Sequence, residues 1–144
     1  MRTFTLATTI LISAGLGAAI TRAAQPAVTH STVFEWTSGE TTATPWGSAR
    51  QVTRNPTPTL EELEIHISTL DPGKSPHEPH RHPHEELLII KEGTLATFQN
   101  GETRRVGPGG IIFQASNELH NVTNAGPARA VYYVVGWTVP ATSK

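Results

Sequence analysis

The clearest pattern in the sequence is an alternation of apolar and polar side chains within residues 61–70. The apolar row holds Leu63, Ile65 and Ile67, and the polar row holds Glu62, Glu64 and His66. A period of two, rather than 3.6, predicts a β-strand with one apolar face. In an antiparallel sheet we expect that face to point into the core, which would leave His66 outside. The opposite orientation would place Glu64 and His66 inside, and the pattern alone leaves this open.

Two other segments are apolar on both faces. Residues 86–91 place Leu88 and Ile90 on one side and Leu87 and Ile89 on the other, and residues 130–137 share the property. A strand of this kind must be covered on both sides. A single small barrel covers only its interior, so we expect the N-terminal segment or a second subunit to cover the outside. The pattern therefore predicts a homodimer.

Turn signals divide the remaining chain into short strands. Asn100-Gly101 is the strongest hairpin signal, because both residues tolerate the positive φ that a type I′ turn requires. Glycine- and proline-rich stretches at 107–110 and 124–127 mark the next turns, and short strands are expected near 32–37 and 49–54. The count of about eight to ten strands without a helix predicts an all-β jelly roll. Trp36 and Trp46 are interpreted as packing residues, with the wall of a ligand pocket as the alternative.

The first residues of the chain have the composition of a secretory signal. Arg2 precedes an apolar stretch over residues 4–20, a region of small residues follows, and Thr21-Arg22-Ala23 is the expected cleavage site. The alternative is a membrane anchor, but the stretch does not clearly reach the ~20 residues of a spanning helix. We therefore predict a signal peptide over 1–23, an N-terminal extension with short strands over 24–59, and a barrel domain over 60–140. The mature protein is expected to be secreted or periplasmic and free of the membrane.

Composition argues against two classes of protein. The chain has no cysteine, which excludes a disulfide framework and a zinc-thiolate site. Its formal charge of −1 falls to −3 once the two arginines of the signal peptide are removed. A nucleic-acid-binding protein calls for a basic face, so we predict no nucleic-acid partner.

Candidate chemistry is concentrated in the segment HEPHRHPHEE, which precedes the first two-sided strand. Within ten positions it holds four of the seven histidines and three of the twelve acidic residues: His77, His80, His82, His84, Glu78, Glu85 and Glu86. Alternate residues of an extended chain point the same way, so His80 and His82 can face one centre, and parity alone also admits His84. Because two neighbouring imidazoles cannot surround an ion, a further ligand must come from elsewhere, and His120 is the candidate.

These residues form two spaced motifs that resemble those of the cupin family. The first motif is matched by His80, His82, Glu86 and Gly93, with one extra residue between Gly73 and His80. The second is matched in spacing by Gly109, His120 and Asn124, whereas Ala115 replaces the usual proline and Asn117 the usual glycine. Asn117 can adopt the positive φ that glycine would supply. The resemblance covers roughly residues 60–137 and implies a double-stranded β-helix, the cupin form of the jelly roll.

The resemblance also implies a metal site. By position, the ligands would be His80, His82, Glu86 and His120, holding one divalent transition metal ion per chain. A set of three imidazoles and one carboxylate suits Mn, Fe, Ni, Cu or Zn rather than Ca or Mg. His77 and His84 are left unassigned, either as rim residues or as partners that orient a ligand or transfer a proton.

Two functions follow, and the sequence does not decide between them. The first is a metal-dependent enzyme that acts on a small molecule, with oxygenase, isomerase, lyase and hydrolase chemistry all open. The alternative is a non-catalytic barrel that binds a metal or a small ligand. A polar group near the metal would favour the enzyme, and the candidates are Glu64, His66, Tyr132 and Tyr133.

Overall fold

The computed structural model describes residues 27–141, and the predicted signal peptide lies outside this range. Within it the chain forms nine strands and no helix, so the all-β prediction is confirmed. The strands are β1 (Thr41–Thr44), β2 (Gly47–Asn55), β3 (Glu62–Leu70), β4 (Glu85–Glu92), β5 (Leu95–Gln99), β6 (Glu102–Val106), β7 (Ile111–Gln114), β8 (His120–Asn124) and β9 (Ala130–Thr138). Over residues 27–141 no helix has the length and hydropathy needed to cross a membrane.

The strands form two antiparallel sheets that enclose one core, as in a jelly-roll barrel. One sheet has six strands in the order β1-β2-β3-β9-β4-β7, and the other has three in the order β6-β5-β8. The buried apolar side chains come from both sheets: Leu70, Leu88, Ile90, Leu95, Ile112, Val122, Ala130, Tyr132 and Val134. Each large side chain that is fully buried contributes about 1.5–3 kcal/mol through its removal from water. This core holds the two sheets face to face.

The strand β3 has the opposite orientation to the one expected from its alternation. Its neighbour β9 places Tyr132 and Val134 in the core, and these residues pair in register with Ser68 and His66 of β3. The polar row of β3 therefore faces inward and the apolar row faces outward. The expectation that His66 lies outside is wrong, because the outer face of β3 also has an apolar cover.

That cover comes from the N-terminal segment. The side chains of Phe34 and Trp36 lie against the outer face formed by Ile65, Ile67 and Tyr133. The ring of Trp36 meets that of Tyr133 edge to face, with centroids 5.9 Å apart. The N-terminal segment, one of the two covers expected for the outer apolar face, is thus present over β3 and β9. Trp36 acts there as a packing residue.

Most of the other predicted elements are present. The segments expected near 49–54, 61–70, 86–91 and 130–137 lie in β2, β3, β4 and β9. Asn100 and Gly101 join β5 to β6 with φ angles of 49° and 92°, as the hairpin signal required. Trp46 packs against the core. The strand expected near 32–37 is wrong, because this segment crosses the outside of the sheet without strand pairing and its aromatic side chains serve as the cover.

Candidate metal centre

The histidine-rich loop between β3 and β4 is fixed to the start of β8 by backbone hydrogen bonds. His80 and His120 form an isolated antiparallel bridge, in which each N–H donates to the other's carbonyl at 3.0 and 3.1 Å. Two residues further on, the N–H of Asn117 donates to the carbonyl of His82 at 2.8 Å. Asn117 has a φ of 59°, so it supplies the left-handed conformation that glycine would otherwise provide. These bonds bring both halves of the predicted site together.

The tautomers of two histidines are set by backbone carbonyls. Nδ1 of His82 lies 2.9 Å from the carbonyl oxygen of His84, and Nδ1 of His120 lies 2.8 Å from that of Glu118. A carbonyl only accepts, so each Nδ1 carries the proton and each Nε2 presents a lone pair. Metal-binding histidines are commonly oriented through their second nitrogen in this way.

Each of the three predicted histidine ligands has a buried ring nitrogen without a hydrogen-bond partner in the described part of the chain, and the three rings lie close together. Nδ1 of His80, Nε2 of His82 and Nε2 of His120 have no hydrogen-bond partner within residues 27–141, although each is buried. The three side chains can each offer a ligand atom so that these atoms lie within 4.8 Å of one another. Buried polar atoms nearly always have a partner, and an unpaired one costs about 1–3 kcal/mol. The set fits a metal ion, which would satisfy all three.

Burial also keeps these ligands in the form that a metal requires. It lowers the pKa of both His80 and His120 below the usual value, and the neighbouring imidazoles contribute in the same direction. His120 is 1% exposed. Both rings are therefore neutral around pH 7 and retain the lone pair that binds a metal.

Glu86 lies beside this trio and belongs to a second group, which consists of His82, His84 and Glu86. Its Oε2 atom lies 3.6 Å from Nε2 of His82, and its Oε1 atom lies 3.0 Å from Nε2 of His84. The geometry thus brings together the three predicted histidine ligands and places the predicted carboxylate at their edge. The role of Glu86 as a ligand stays a prediction.

The two unassigned histidines both contact predicted ligands. The ring of His77 lies with its centroid 3.9 Å from that of His80, and the ring of His84 is stacked on His82 at 3.6 Å with an interplanar angle of 3°. The signal for His84 was in the sequence, since it shares the parity of His80 and His82. Parity could not show that its ring would pack against one of them.

A small cavity opens next to the histidines inside the barrel. Its volume is about 180 Å³. Its wall is formed by His66, Ser68, Pro76, His77, Glu86, Leu88, Gln114, Val122, Tyr132 and Val134. Of the candidate polar groups, His66 and Tyr132 reach this cavity, whereas Tyr133 lies on the outer face. Burial raises the pKa of the Tyr132 phenol well above its usual range, so its hydroxyl stays neutral.

His66 is paired with a carboxylate on its own strand. Nδ1 of His66 lies 3.3 Å from Oε1 of Glu64, and the contact is an ion-pair distance rather than a well-directed hydrogen bond. The His66 side chain nevertheless lowers the pKa of Glu64, to which Arg54 adds a smaller effect. Glu64 is therefore an anion beside the imidazole of His66, on the same face of β3.

Asn124, at the end of the second motif, has a structural role. Its side-chain amide donates to the carbonyls of Leu70 and Ala128 at 2.9 and 2.8 Å, and its oxygen accepts from the N–H of Gly126 at 2.9 Å. The prediction of a turn-stabilising residue agrees with this geometry. Asn124 holds the β8–β9 turn against the end of β3.

The fold and the site together define a small jelly-roll protein whose interior holds a histidine cluster able to bind a metal ion. A family model described as a cupin domain matches residues 66–136. The chain therefore belongs to the cupin superfamily, as its two motifs indicated. No curated protein sequence matches the chain.

Solved structures share this fold at low sequence identity. The structure of KdgF from a Halomonas species is 18% identical with a TM-score of 0.64, and the match covers 77% of this chain and 96% of that one. An RmlC-like cupin from Shewanella frigidimarina is 18% identical with a TM-score of 0.62, covering 78% and 95%. A sugar phosphate isomerase of the cupin superfamily from Silicibacter pomeroyi is 20% identical with a TM-score of 0.54, covering 65% and 60%. At such identities the likeness concerns the fold alone.

Proposed function

We propose that this protein is an exported cupin that holds one divalent transition metal ion through His80, His82, Glu86 and His120 and acts as an enzyme on a small molecule. The observation that carries the metal site is the group of three histidines, each with a buried imidazole nitrogen that has no partner within the described residues, which can each offer a ligand atom within 4.8 Å of the others. Nitrogen-rich sets of this kind favour Mn, Fe, Ni, Cu or Zn.

The cavity beside the site supports a catalytic rather than a structural metal. When bound, the ion would supply Lewis-acid chemistry or an activated water. The chain contributes the groups around it: the hydroxyl of Tyr132 is a neutral hydrogen-bond donor, and His66, backed by Glu64, is a proton acceptor or donor at the cavity wall. Among the described residues that line the cavity there is no lysine or arginine. A small oxygen-bearing molecule that is neutral or carries a single negative charge suits this wall better than a phosphate ester does.

The test of the metal site is elemental analysis of the purified protein after expression with Mn, Fe, Ni, Cu and Zn all supplied. The matched variants are His120→Ala, which removes a predicted ligand, and His30→Ala, which removes an exposed histidine far from the site along the chain. We expect near-stoichiometric metal in the wild type and in His30→Ala, and a large loss in His120→Ala. Equal metal content in all three proteins would refute the ligand set.

A non-catalytic barrel that binds a metal or a small ligand is the second candidate, and the small volume of the cavity, about 180 Å³, favours it. The two functions differ in whether a bound molecule is changed. Ligands found by a screen against the metal-loaded protein should be recovered altered if the protein is an enzyme. With His66→Gln we expect metal content to persist while turnover falls by about 10²–10⁴-fold, the usual contribution of a general acid or base. Recovery of every ligand unchanged would favour the binding protein.

We also propose that the protein forms a homodimer through the outer face of β4 and β7. Phe113 and Ile111 of β7 pair with Leu87 and Ile89 of β4, and the side chains of Ile89, Ile111 and Phe113 are exposed. The N-terminal cover lies on β3 and β9, so a second copy is the remaining candidate to bury this edge of the sheet. Sedimentation of the wild type as a dimer, and of Phe113→Asp as a monomer, would support this interface. A wild-type monomer at micromolar concentration would refute it.

Export is the last part of the proposal, and it rests on the sequence of residues 1–23. N-terminal sequencing of the protein recovered from its natural host tests it. We expect the mature chain to begin close to residue 24. A chain that retains Met1 and is recovered in membranes would replace the signal peptide by an anchor.

A further inference from the structure

His84 has three contacts with the predicted ligands. Its Nε2 lies 3.0 Å from Oε1 of Glu86, its ring is stacked flat on the ring of His82, and its carbonyl accepts the hydrogen bond of His82 Nδ1 at 2.9 Å. Its parity predicted the direction of the side chain but not these contacts.

The hydrogen bond from His84 gives the two carboxylate oxygens of Glu86 different partners. Oε1 accepts from His84, since a carboxylate only accepts and Nε2 must therefore carry a proton. The other oxygen, Oε2, faces Nε2 of His82 at 3.6 Å, which is the nitrogen left unpaired for a metal. One oxygen of the carboxylate thus faces His82 of the site, and the other is held by His84.

The packing around His84 keeps this arrangement in place. Gly136 of β9 lies beneath both side chains: a Cβ atom there would be 3.5 Å from Cγ of Glu86 and 3.6 Å from Cδ2 of His84. The side chain of His84 is 32% exposed, and that of Glu86 is 17% exposed. The pair is therefore partly shielded from water, which makes the hydrogen bond between them stronger than one on the surface.

We infer that His84 is a positioning residue of the metal centre, which fixes Glu86 so that a single oxygen, Oε2, is presented to the ion. This inference rests on the metal site proposed above. With Oε1 held by His84, the carboxylate would take one coordination position of a bound ion rather than two, which would leave a further position for a substrate or water. His84 does not serve as a ligand through Nε2, because that nitrogen carries the proton it donates to Glu86.

The test measures the affinity for Zn²⁺ by competition with a chromophoric chelator, in the wild type and in variants at this position. His84→Phe keeps an aromatic ring against His82 but removes the donor, and we expect Zn²⁺ binding to weaken about 10–100-fold, the usual effect of losing a partner that orients a ligand. His84→Gln restores an N–H donor without the ring, and we expect it to recover part of the affinity. His30→Phe is the matched control, and circular dichroism establishes that each variant is folded.

The decisive measurement is the same pair of variants in a Glu86→Gln background. If His84 acts through the Glu86 carboxylate, His84→Phe should change the affinity of Glu86→Gln protein less than about 2-fold, because the two changes are then strongly non-additive. An equal loss in both backgrounds would overturn the inference and assign His84 an independent role, as would wild-type affinity in His84→Phe. A wild-type protein that binds no Zn²⁺ or Co²⁺ would instead refute the metal site itself.

The Co²⁺ spectrum provides a second readout that a merely structural role would not move. The visible absorption of bound Co²⁺ reports the number of its ligands. We expect His84→Phe to change the band positions at saturating Co²⁺, because the released carboxylate can bind through both oxygens. His84→Gln should keep a spectrum close to that of the wild type. Identical spectra in all proteins would overturn the inference.

Discussion

Replacing His120 by leucine should stabilise the metal-free protein and destabilise the metal-loaded one. His120 is 1% exposed, and its Nε2 atom has no hydrogen-bond partner within residues 27–141. Removing such an atom relieves about 1–3 kcal/mol. The variant also loses the hydrogen bond from Nδ1 to the carbonyl of Glu118, which contributes about 0.5–1.5 kcal/mol. The expected net effect without metal is a change in the free energy of unfolding between about 0.5 kcal/mol lower and about 2.5 kcal/mol higher, with the middle of the range stabilising.

With metal present, we expect the wild type to be more stable to unfolding than His120→Leu. An ion that binds only the folded state at a concentration of 100 times its Kd adds about 2.7 kcal/mol to the stability of the wild type. His120→Leu has lost one of the three converging nitrogens and should gain much less. The wild type is then the more stable protein under these conditions, so the sign of the mutational effect depends on the metal.

Urea denaturation in EDTA and in excess Zn²⁺ measures both effects, with His30→Leu as the exposed control. The result that would refute the reasoning is a loss of more than about 1 kcal/mol for His120→Leu in EDTA. It would mean that the unpaired nitrogen carries no cost. The metal site would then lack its main energetic signature.

Three further outcomes are expected. Burial lowers the pKa of His80 and His120 below the usual value of 6.5. As pH falls, the unfolded chain therefore binds protons before the folded chain does, and the metal-free protein should lose stability below about pH 6.5. Urea midpoints measured across pH test this. Gly93→Ala should cost at least 1–3 kcal/mol, since φ is +80° and a Cβ would lie 2.7 Å from a backbone atom of β9; Gly73→Ala, with φ +72° and open space, should cost less in the same denaturation assay. Asn124→Ala should lower the free energy of unfolding by about 1–3 kcal/mol, because the buried carbonyl of Leu70 and the partly buried carbonyl of Ala128 lose their donor. A pH-independent midpoint, equal costs for the two glycines, or a cost below about 1 kcal/mol for Asn124→Ala would contradict the respective arguments.

The sequence was sufficient for most of the strands, which depend on local spacing, and the two spaced motifs were sufficient to name the histidine trio. Alternation identified β3, and the parity of His80 and His82 placed them on one face. The spacing of the second motif identified His120, which is distant from His80 and His82 along the chain. A backbone bridge to His80 brings His120 to the site. The motifs indicate this pairing only indirectly, through the residues that they contain.

Orientation was the part that local patterns could not supply. The alternation in β3 distinguishes two faces, but both are covered in the fold, one by the core and one by Phe34 and Trp36. The sequence of this segment predicts a strand because aromatic and β-branched residues favour half-buried surfaces in general, whether or not the backbone pairs with a neighbouring strand. The same segment thus explains two errors, the strand near 32–37 and the outward placement of His66.

The bridge between His80 and His120 also bears on the order in which the centre is assembled. Along the chain, β4, β5, β6 and β7 all lie between His82 and His120, so the three nitrogens converge only after both sheets have paired. An unfolded chain presents no such site. An ion bound at the proposed site would therefore be acquired at the end of folding, from the pool of metals in the compartment where the barrel closes. Its identity would depend on where this protein folds as much as on which ligands it carries.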